Sequence, residues 1–284
     1  MDKCKKCIFI IYSHTIASLT NARFYVAVTL VTCLMNQIIH PIKVFSIQAG
    51  IDTCPWIFPF LTQTFYIQMI ILLGITFIFC DLPVIHNGTS YILVRTGKKI
   101  WFWSQVGYIF LMTFIYHLFI FVLSTALFLP HIKIENNWGK ILGTVAQTNL
   151  GEQLGVDIDY LLQVTYTPAE AIIRALFIAF LVGVFTGMVI LVLNIYFRSI
   201  AGAVAGTIIA FTPYFSANVS NMSAANYISP GVWLNIMNSY QLESIDYPNA
   251  RYIFSFLIGG IIILTILAYL RVCSRKYSYL KVIN

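Results

Sequence analysis

Residues Asp81 to Phe110 read DLPVIHNGTSYILVRTGKKIWFWSQVGYIF. The stretch starts as a polar loop, gathers Arg95, Lys98 and Lys99, and turns at Trp101 and Trp103 into a long apolar run. That order marks a membrane boundary. Lys and Arg are retained on the cytoplasmic side of a bilayer, and an indole sits best beside them at headgroup depth.

The rest of the chain has the composition such a boundary implies. Of its 284 residues 59% are apolar and 10% charged, against about a quarter charged in soluble domains. A helix needs about 20 mostly apolar residues to cross the hydrocarbon, and six segments are candidates: 24–42, 57–79, 100–129, 171–197, 200–215 and 252–270. The opening MDKCKKCIFIIYSHTIASLT has the basic and apolar regions of a leader, but no small-residue cleavage site precedes the next apolar span. An interfacial elbow helix over 5–22 is the expectation there. No gap between spans reaches the ~50 residues of a separate soluble domain. The expected fold class is an all-α membrane protein with six transmembrane helices in a single domain, 1–284.

Charge placement sets the expected orientation. With the N-terminus in the cytoplasm, twelve cations, among them Lys3, Lys5, Lys6, Arg23, Arg95, Lys98, Lys99 and Arg271, fall inside with only Asp2 and Asp81. The other side receives five cations and eight carboxylates. This asymmetry places both termini in the cytoplasm of a multi-pass cell-membrane protein. It also assigns the net charge of +7 to the bilayer rather than to nucleic acid. Of the six cysteines only Cys54 falls outside, so no disulfide framework is expected. Cys4 and Cys7 form a CxxC without the second pair that a zinc site needs.

Two spans depart from a standard length. The third, of about thirty residues, implies tilt or extension beyond the bilayer. The fifth offers about sixteen residues, with Pro213 near its end, which implies a short crossing. SANVSNMSAANYISPGVWLNIMNSY follows it, where Ser229 and Pro230 can open a helix with Trp233, Ile236, Met237 and Tyr240 on one face. A broken or re-entrant segment is expected between helices five and six. Gly183 with Gly187 and Gly202 with Gly206 have the spacing for close helix approach.

Reactive constellations are scarce. The chain has neither HExxH nor GxSxG, and no catalytic residue or metal ligand set is assigned. Gly88, Thr89 and Ser90 lack the glycine that an intramembrane protease motif would want at Tyr91. Glu170 and Arg174, four apart, read as an ion pair at the membrane edge. His117, the deep ionisable residue, reads as a hydrogen-bonded packing group. What remains is neutral: Thr29, Thr32, Asn36 and His40 step along one face of helix one, and Thr64 and Gln68 form a similar pair in helix two. Such groups are costly in lipid unless they face another helix or water. They are either interhelical hydrogen bonds or the lining of a translocation path, assigned to Thr32, Asn36, His40, Thr64 and Gln68.

Taken together, the order of parts resembles the permease subunit of ABC-type exporters of the type-2 family. The stretch DLPVIHNGTSYILVRTGKKIWFWSQ is similar to the segment after the second helix of such permeases, and ISPGVWLNIMNS to the segment before their last. The resemblance implies a coupling helix within Pro83 to Arg95, with Asn87, Gly88, Tyr91 and Arg95 near the surface that docks on a separate ATPase subunit. Neither Gly97-Lys98-Lys99 nor Gly139-Lys140-Ile141 completes a GxxxxGK[ST] loop, so ATP and Mg would be bound and ATP hydrolysed by that partner. A second permease subunit, identical or related, would complete a path lined by helices one, two and five. The implied function is ATP-driven export of a small amphipathic compound or peptide, including self-protection against an antimicrobial peptide. The alternative is a six-helix assembly or immunity protein that moves nothing.

Overall fold

The computed structural model describes residues 3–85, 89–148, 150–154, 156, 158–197, 199–218, 226–240 and 247–274. Among them the chain is all-helical, with one isolated bridge between Thr53 and Ile132 in place of a sheet. α1 (Lys3–Leu19) and α2 (Ala22–Ala49) are followed by the short α3 (Phe58–Leu61), α4 (Phe65–Phe79) and α5 (Thr89–Thr96). α6 (Lys98–Ala126) leads into three short helices, α7 (Gly139–Gln147), α8 (Leu150–Leu154) and α9 (Tyr160–Thr165). α10 (Pro168–Tyr196), α11 (Ser199–Asn218), α12 (Ile236–Tyr240) and α13 (Ala250–Cys273) complete the order.

Five of these helices, α2, α6, α10, α11 and α13, are long and apolar enough to cross a membrane. The chain is a multi-pass membrane protein. Helix starts follow local capping chemistry. Thr167 and Glu170 close a capping box on α10 with Pro168 in its first turn. Asn21 and Asn249 accept from the second or third amide of α2 and α13.

The continuous helix expected over 57–79 is not formed. The segment breaks at Thr62–Thr64 into α3 and α4, and α4 keeps 15 residues, about 22 Å of helix against the ~30 Å of the hydrocarbon core. The break survives because Gln68, one turn into α4, turns its amide back to Thr62 O at 2.7 Å and Gln63 O at 3.5 Å. Conversely, the short crossing expected over 200–215 is longer, and α11 runs from Ser199 through Pro213 to Asn218. A proline removes the N–H that would serve the carbonyl four residues earlier. Here that carbonyl is Ile209 O, and the hydroxyl of Thr212 donates to it at 2.7 Å.

α10 runs through the middle of the bundle and touches α4, α6, α11 and α13, while α4 packs between α2 and α11. The small residues sit at these crossings. Gly183 lies against Thr113 and His117 of α6, Gly187 against Ile109 and Phe79, and Gly206 against Thr76 of α4. The segment before α13 is packed rather than surface-lying: Trp233 is fully buried, donates to Asn226 O at 2.8 Å, and meets Phe256 of α13 edge to face.

Ion-pair expectations change in one place. Glu170 closes the α10 capping box through Thr167 N, and Arg174 lies over the Tyr166 ring at 4.6 Å. At the end of the bundle that carries α7 to α9, indole donors hold the loops. Trp56 donates to Glu135 O at 2.6 Å, and Trp138 to both Gln163 O and Tyr166 O.

Gly202 is the tightest of these positions with consequence for stability. A Cβ there would stand 2.3 Å from Asn194 Oδ1 and 2.7 Å from the Ile190 carbonyl oxygen. Gly202→Ala is expected to cost about 1–3 kcal/mol through forced displacement, read as a lower midpoint of thermal unfolding in detergent. Gly143→Ala, with nothing within 4 Å of its Cβ inside α7, is the matched control and should stabilise by up to ~1 kcal/mol.

Candidate functional site

Polar bonds from several helices converge on the turn Cys80–Val84, where the peptide leaves α4. Its backbone groups are buried or part-buried, so each needs a partner. Asn194 of α10, 6% exposed, donates from Nδ2 to Cys80 O at 3.1 Å and Leu82 O at 2.6 Å, and its Oδ1 accepts from Gly202 N at 2.8 Å. One amide therefore joins the end of α4, the end of α10 and the first turn of α11.

Gln105 of α6, 1% exposed, holds the other side of the turn. Its Oε1 accepts from Val84 N at 2.9 Å, and its Nε2 stands 3.3 Å from His14 Nε2 on α1. A donating Gln105 Nε2 leaves His14 Nε2 as the acceptor and places the ring proton on Nδ1. Arg23, in the first turn of α2, completes the ring of contacts. It pairs with the Asp81 carboxylate and donates to Cys80 Sγ at 3.1 Å. Burial, and then the adjacent Asp81 charge, push the Cys80 thiol above its ordinary range. The turn is thus rooted in α1, α2, α6, α10 and α11 at once.

Downstream of this root the chain reaches α5. Gly97 joins α5 to α6 at φ 80° and ψ 159°, a region essentially restricted to glycine, so the two helices meet at a sharp corner. Lys6 of α1 donates to Arg95 O at 3.3 Å, and Lys98 donates to Ser274 O, just past α13, at 3.4 Å. Among the basic residues read from the sequence, Lys6 and Lys98 therefore bind the ends of neighbouring helices. A Lys near a helix C-terminus also opposes the partial negative charge there. Among the four expected docking residues, Arg95 is exposed. Asn87 and Gly88, and the side chain of Tyr91, lie outside the described residues.

The polar residues expected to line a path divide between two environments. Ala27, Val31, Met35, Ile38 and Ile42 form the buried face of α2. Thr29, Asn36 and His40 are exposed, and Thr32 is half-buried with its hydroxyl on Val28 O at 2.7 Å. Thr29, Asn36 and His40 make no side-chain hydrogen bond among the described residues. The stripe continues in register to Lys43, which reaches Leu127 O at 3.1 Å and Leu129 O at 2.6 Å beyond α6. Arg23 and Ala27, facing Asp81 and Gly74, mark the opposite flank toward α4. Gln68 is turned inward, 4% exposed, with its amide committed to the break before α4, and Thr64 is half-buried at the start of that helix. A single chain does not gather the five residues around one opening.

His117, deep in α6, donates from Nδ1 to Thr113 O at 2.9 Å and packs against Gly183. Among the described residues no group of three His, Cys, Asp or Glu is placed to hold a metal ion. Comparison with protein-family models, with characterised proteins and with solved structures finds no match to this chain in any of the three. The site therefore has to be read from its own chemistry.

Sequence reading passed over Gln105 and Asn194. Each is a lone neutral amide inside an apolar span, without a periodic partner. The signal available was the cost of placing an amide in hydrocarbon, which by itself demands a nearby partner. Replacing Gln105 by Leu strands Val84 N, a part-buried donor, at a cost of about 1 kcal/mol. The expected outcome is faster hydrogen exchange at Val84, measured by mass spectrometry in detergent, with the exchange of α10 unchanged.

Proposed function

We propose that this chain is the membrane-spanning permease subunit of an ATP-driven exporter, acting with a second permease copy or relative and a separate ATPase subunit. The observation that carries the reading is the outward stripe of α2. Thr29, Asn36 and His40 occupy the middle of a 28-residue apolar helix, at bilayer depth, and face away from their own chain. Lipid is a poor solvent for such groups, so another subunit or a wet path has to cover them. Two α2 stripes brought together across an assembly provide both.

In this reading α3 and α4 together make the sixth crossing, and non-helical backbone at the break is tolerated because it is buried in protein. The basic end is cytoplasmic by its excess of Lys and Arg, with α1 as the interfacial elbow and both termini inside. The rooted turn at Cys80–Val84 and the corner at Gly97 then hold the segment between them as a lever. A force applied to α5 by an ATPase reaches α2, α6, α10 and α11 through the Cys80–Val84 contacts. ATP and Mg are bound by the partner, which performs the hydrolysis. The cargo is a small amphipathic compound or peptide, in keeping with a path lined by hydroxyl, amide and imidazole groups rather than charges.

The reading is tested by purifying the tagged chain from its native membrane. A Walker-motif polypeptide in stoichiometric amount, with Mg-dependent ATP hydrolysis, is the expected result. A chain that purifies without any nucleotide hydrolysis would favour the assembly or immunity alternative. Arg95→Glu, which reverses charge beside Lys98 and Lys99, is expected to keep the partner bound while abolishing stimulation of hydrolysis by substrate.

The stripe has its own test. Asn36→Leu replaces a hydrogen-bonding surface by an apolar one and is expected to change which members of a substrate panel stimulate hydrolysis. A uniform reduction across the panel at equal protein level would instead make Asn36 a packing contact between subunits.

A further inference from the structure

α1 crosses α6 at its glycine. Gly107 lets Ile11 approach so closely that a Cβ would meet its Cδ1 at 2.5 Å. Beside this crossing the two helices part and leave an apolar groove of about 520 Å³, walled by Ile8, Tyr12, Phe110, Phe114 and Phe180. Ile8 is 59% and Tyr12 62% exposed, although a residue type such as Ile gains by leaving water.

We propose that this groove holds one acyl chain of an anionic phospholipid, drawn from the leaflet that meets the basic end of the bundle. The charge pattern identifies the occupant. The first turn of α1 carries Lys3, Lys5 and Lys6 and has no acidic residue. Lys6 is engaged with Arg95 O, which keeps that turn level with α5 and so at the basic end. Lys5 precedes Ile8 by three residues and Tyr12 by seven, so it shares their face of α1 and stands at the mouth of the groove. Phe180 packs edge to face on Phe110 and Phe114, which are exposed along α6. The surface therefore runs from a cation, past a phenol, into an aromatic slot. A phospholipid presents the matching order of phosphate, ester and chain.

The bound lipid also has a structural consequence. α1 reaches the Cys80–Val84 root through His14 and Gln105, so a chain wedged between α1 and α6 sets the separation of the helices on which that contact depends. The lipid composition of one leaflet thereby bears on the root of α5.

The test is native mass spectrometry of the delipidated full-length chain in detergent, titrated separately with phosphatidylglycerol and phosphatidylcholine of the same acyl length. Phosphatidylglycerol is expected to give a one-to-one adduct at lower concentration than phosphatidylcholine. Lys5→Ala should weaken phosphatidylglycerol about fivefold, the scale of one Lys at an anionic surface, and leave phosphatidylcholine unchanged. Ile8→Trp, which fills the groove from an exposed position, should abolish both adducts with no change in unfolding midpoint. Equal affinity for the two lipids, insensitivity to Lys5→Ala, adducts that persist in Ile8→Trp, or a second copy of the chain bound in place of lipid would each overturn the proposal.

Discussion

Away from water a backbone carbonyl needs a donor, and the architecture turns on where side chains provide one. A regular helix satisfies itself. Four departures from regular helix among the described residues are each matched by a polar side chain within reach. Asn194 serves Cys80 O and Leu82 O, Gln105 serves Val84 N, Gln68 serves Thr62 O, and Thr212 serves the carbonyl that Pro213 leaves bare. Of these Asn194 matters most, because the same amide also accepts from Gly202 N and so fixes the handover from α10 to α11. Remove it, and the end of α4 loses its polar contacts to α10 and α11.

Spans were legible in the sequence because they depend on length and composition alone. The apolar stretches at 24–42, 100–129, 171–197, 200–215 and 252–270 coincide with helices that begin and end within a few residues of them, apart from the end of α2, which runs on through Pro41 to Ala49. The break in the second was not legible. Thr62, Gln63 and Thr64 include neither Gly nor Pro, and Pro59 lies inside α3. Nothing local forbids a continuous helix there. The break is decided by Gln68, whose amide offers the chain a way to satisfy Thr62 O and Gln63 O without the helical ladder. Pro213 shows the opposite case: a residue that locally favours a stop lies inside the helix, because the hydroxyl of the preceding residue serves the carbonyl it leaves bare.

The candidate site was legible in outline only. Periodicity exposed the α2 stripe, since Thr29, Thr32, Asn36 and His40 recur at helical spacing. Periodicity could not expose Gln105, Asn194 or the pairing of Arg23 with Asp81, because each is a single residue whose partner lies on a different helix. For the cations the sequence indicated which end of the helix they mark. The structure adds what they touch: Lys6 and Lys98 spend themselves on the terminal carbonyls of neighbouring elements, so the cluster ties α1, α5, α6 and α13 at one end.

The two unusual surfaces of the chain follow from one solvent argument with opposite outcomes. The α2 stripe offers hydroxyl, amide and imidazole groups at bilayer depth with no partner of their own among the described residues. Hydrocarbon cannot satisfy them, so their cover has to be protein or water. The α1–α6 groove offers almost nothing but carbon and aromatic faces. Water gains nothing there, and an acyl chain fits the chemistry. A membrane protein that merely packed six helices would need neither surface, because polar groups could be turned inward and grooves filled by side chains. Asn194 and Gln105 show that this chain does turn amides inward where it needs them for structure. Asn36 and His40 instead face outward, which sets them apart from the amides that hold the bundle together.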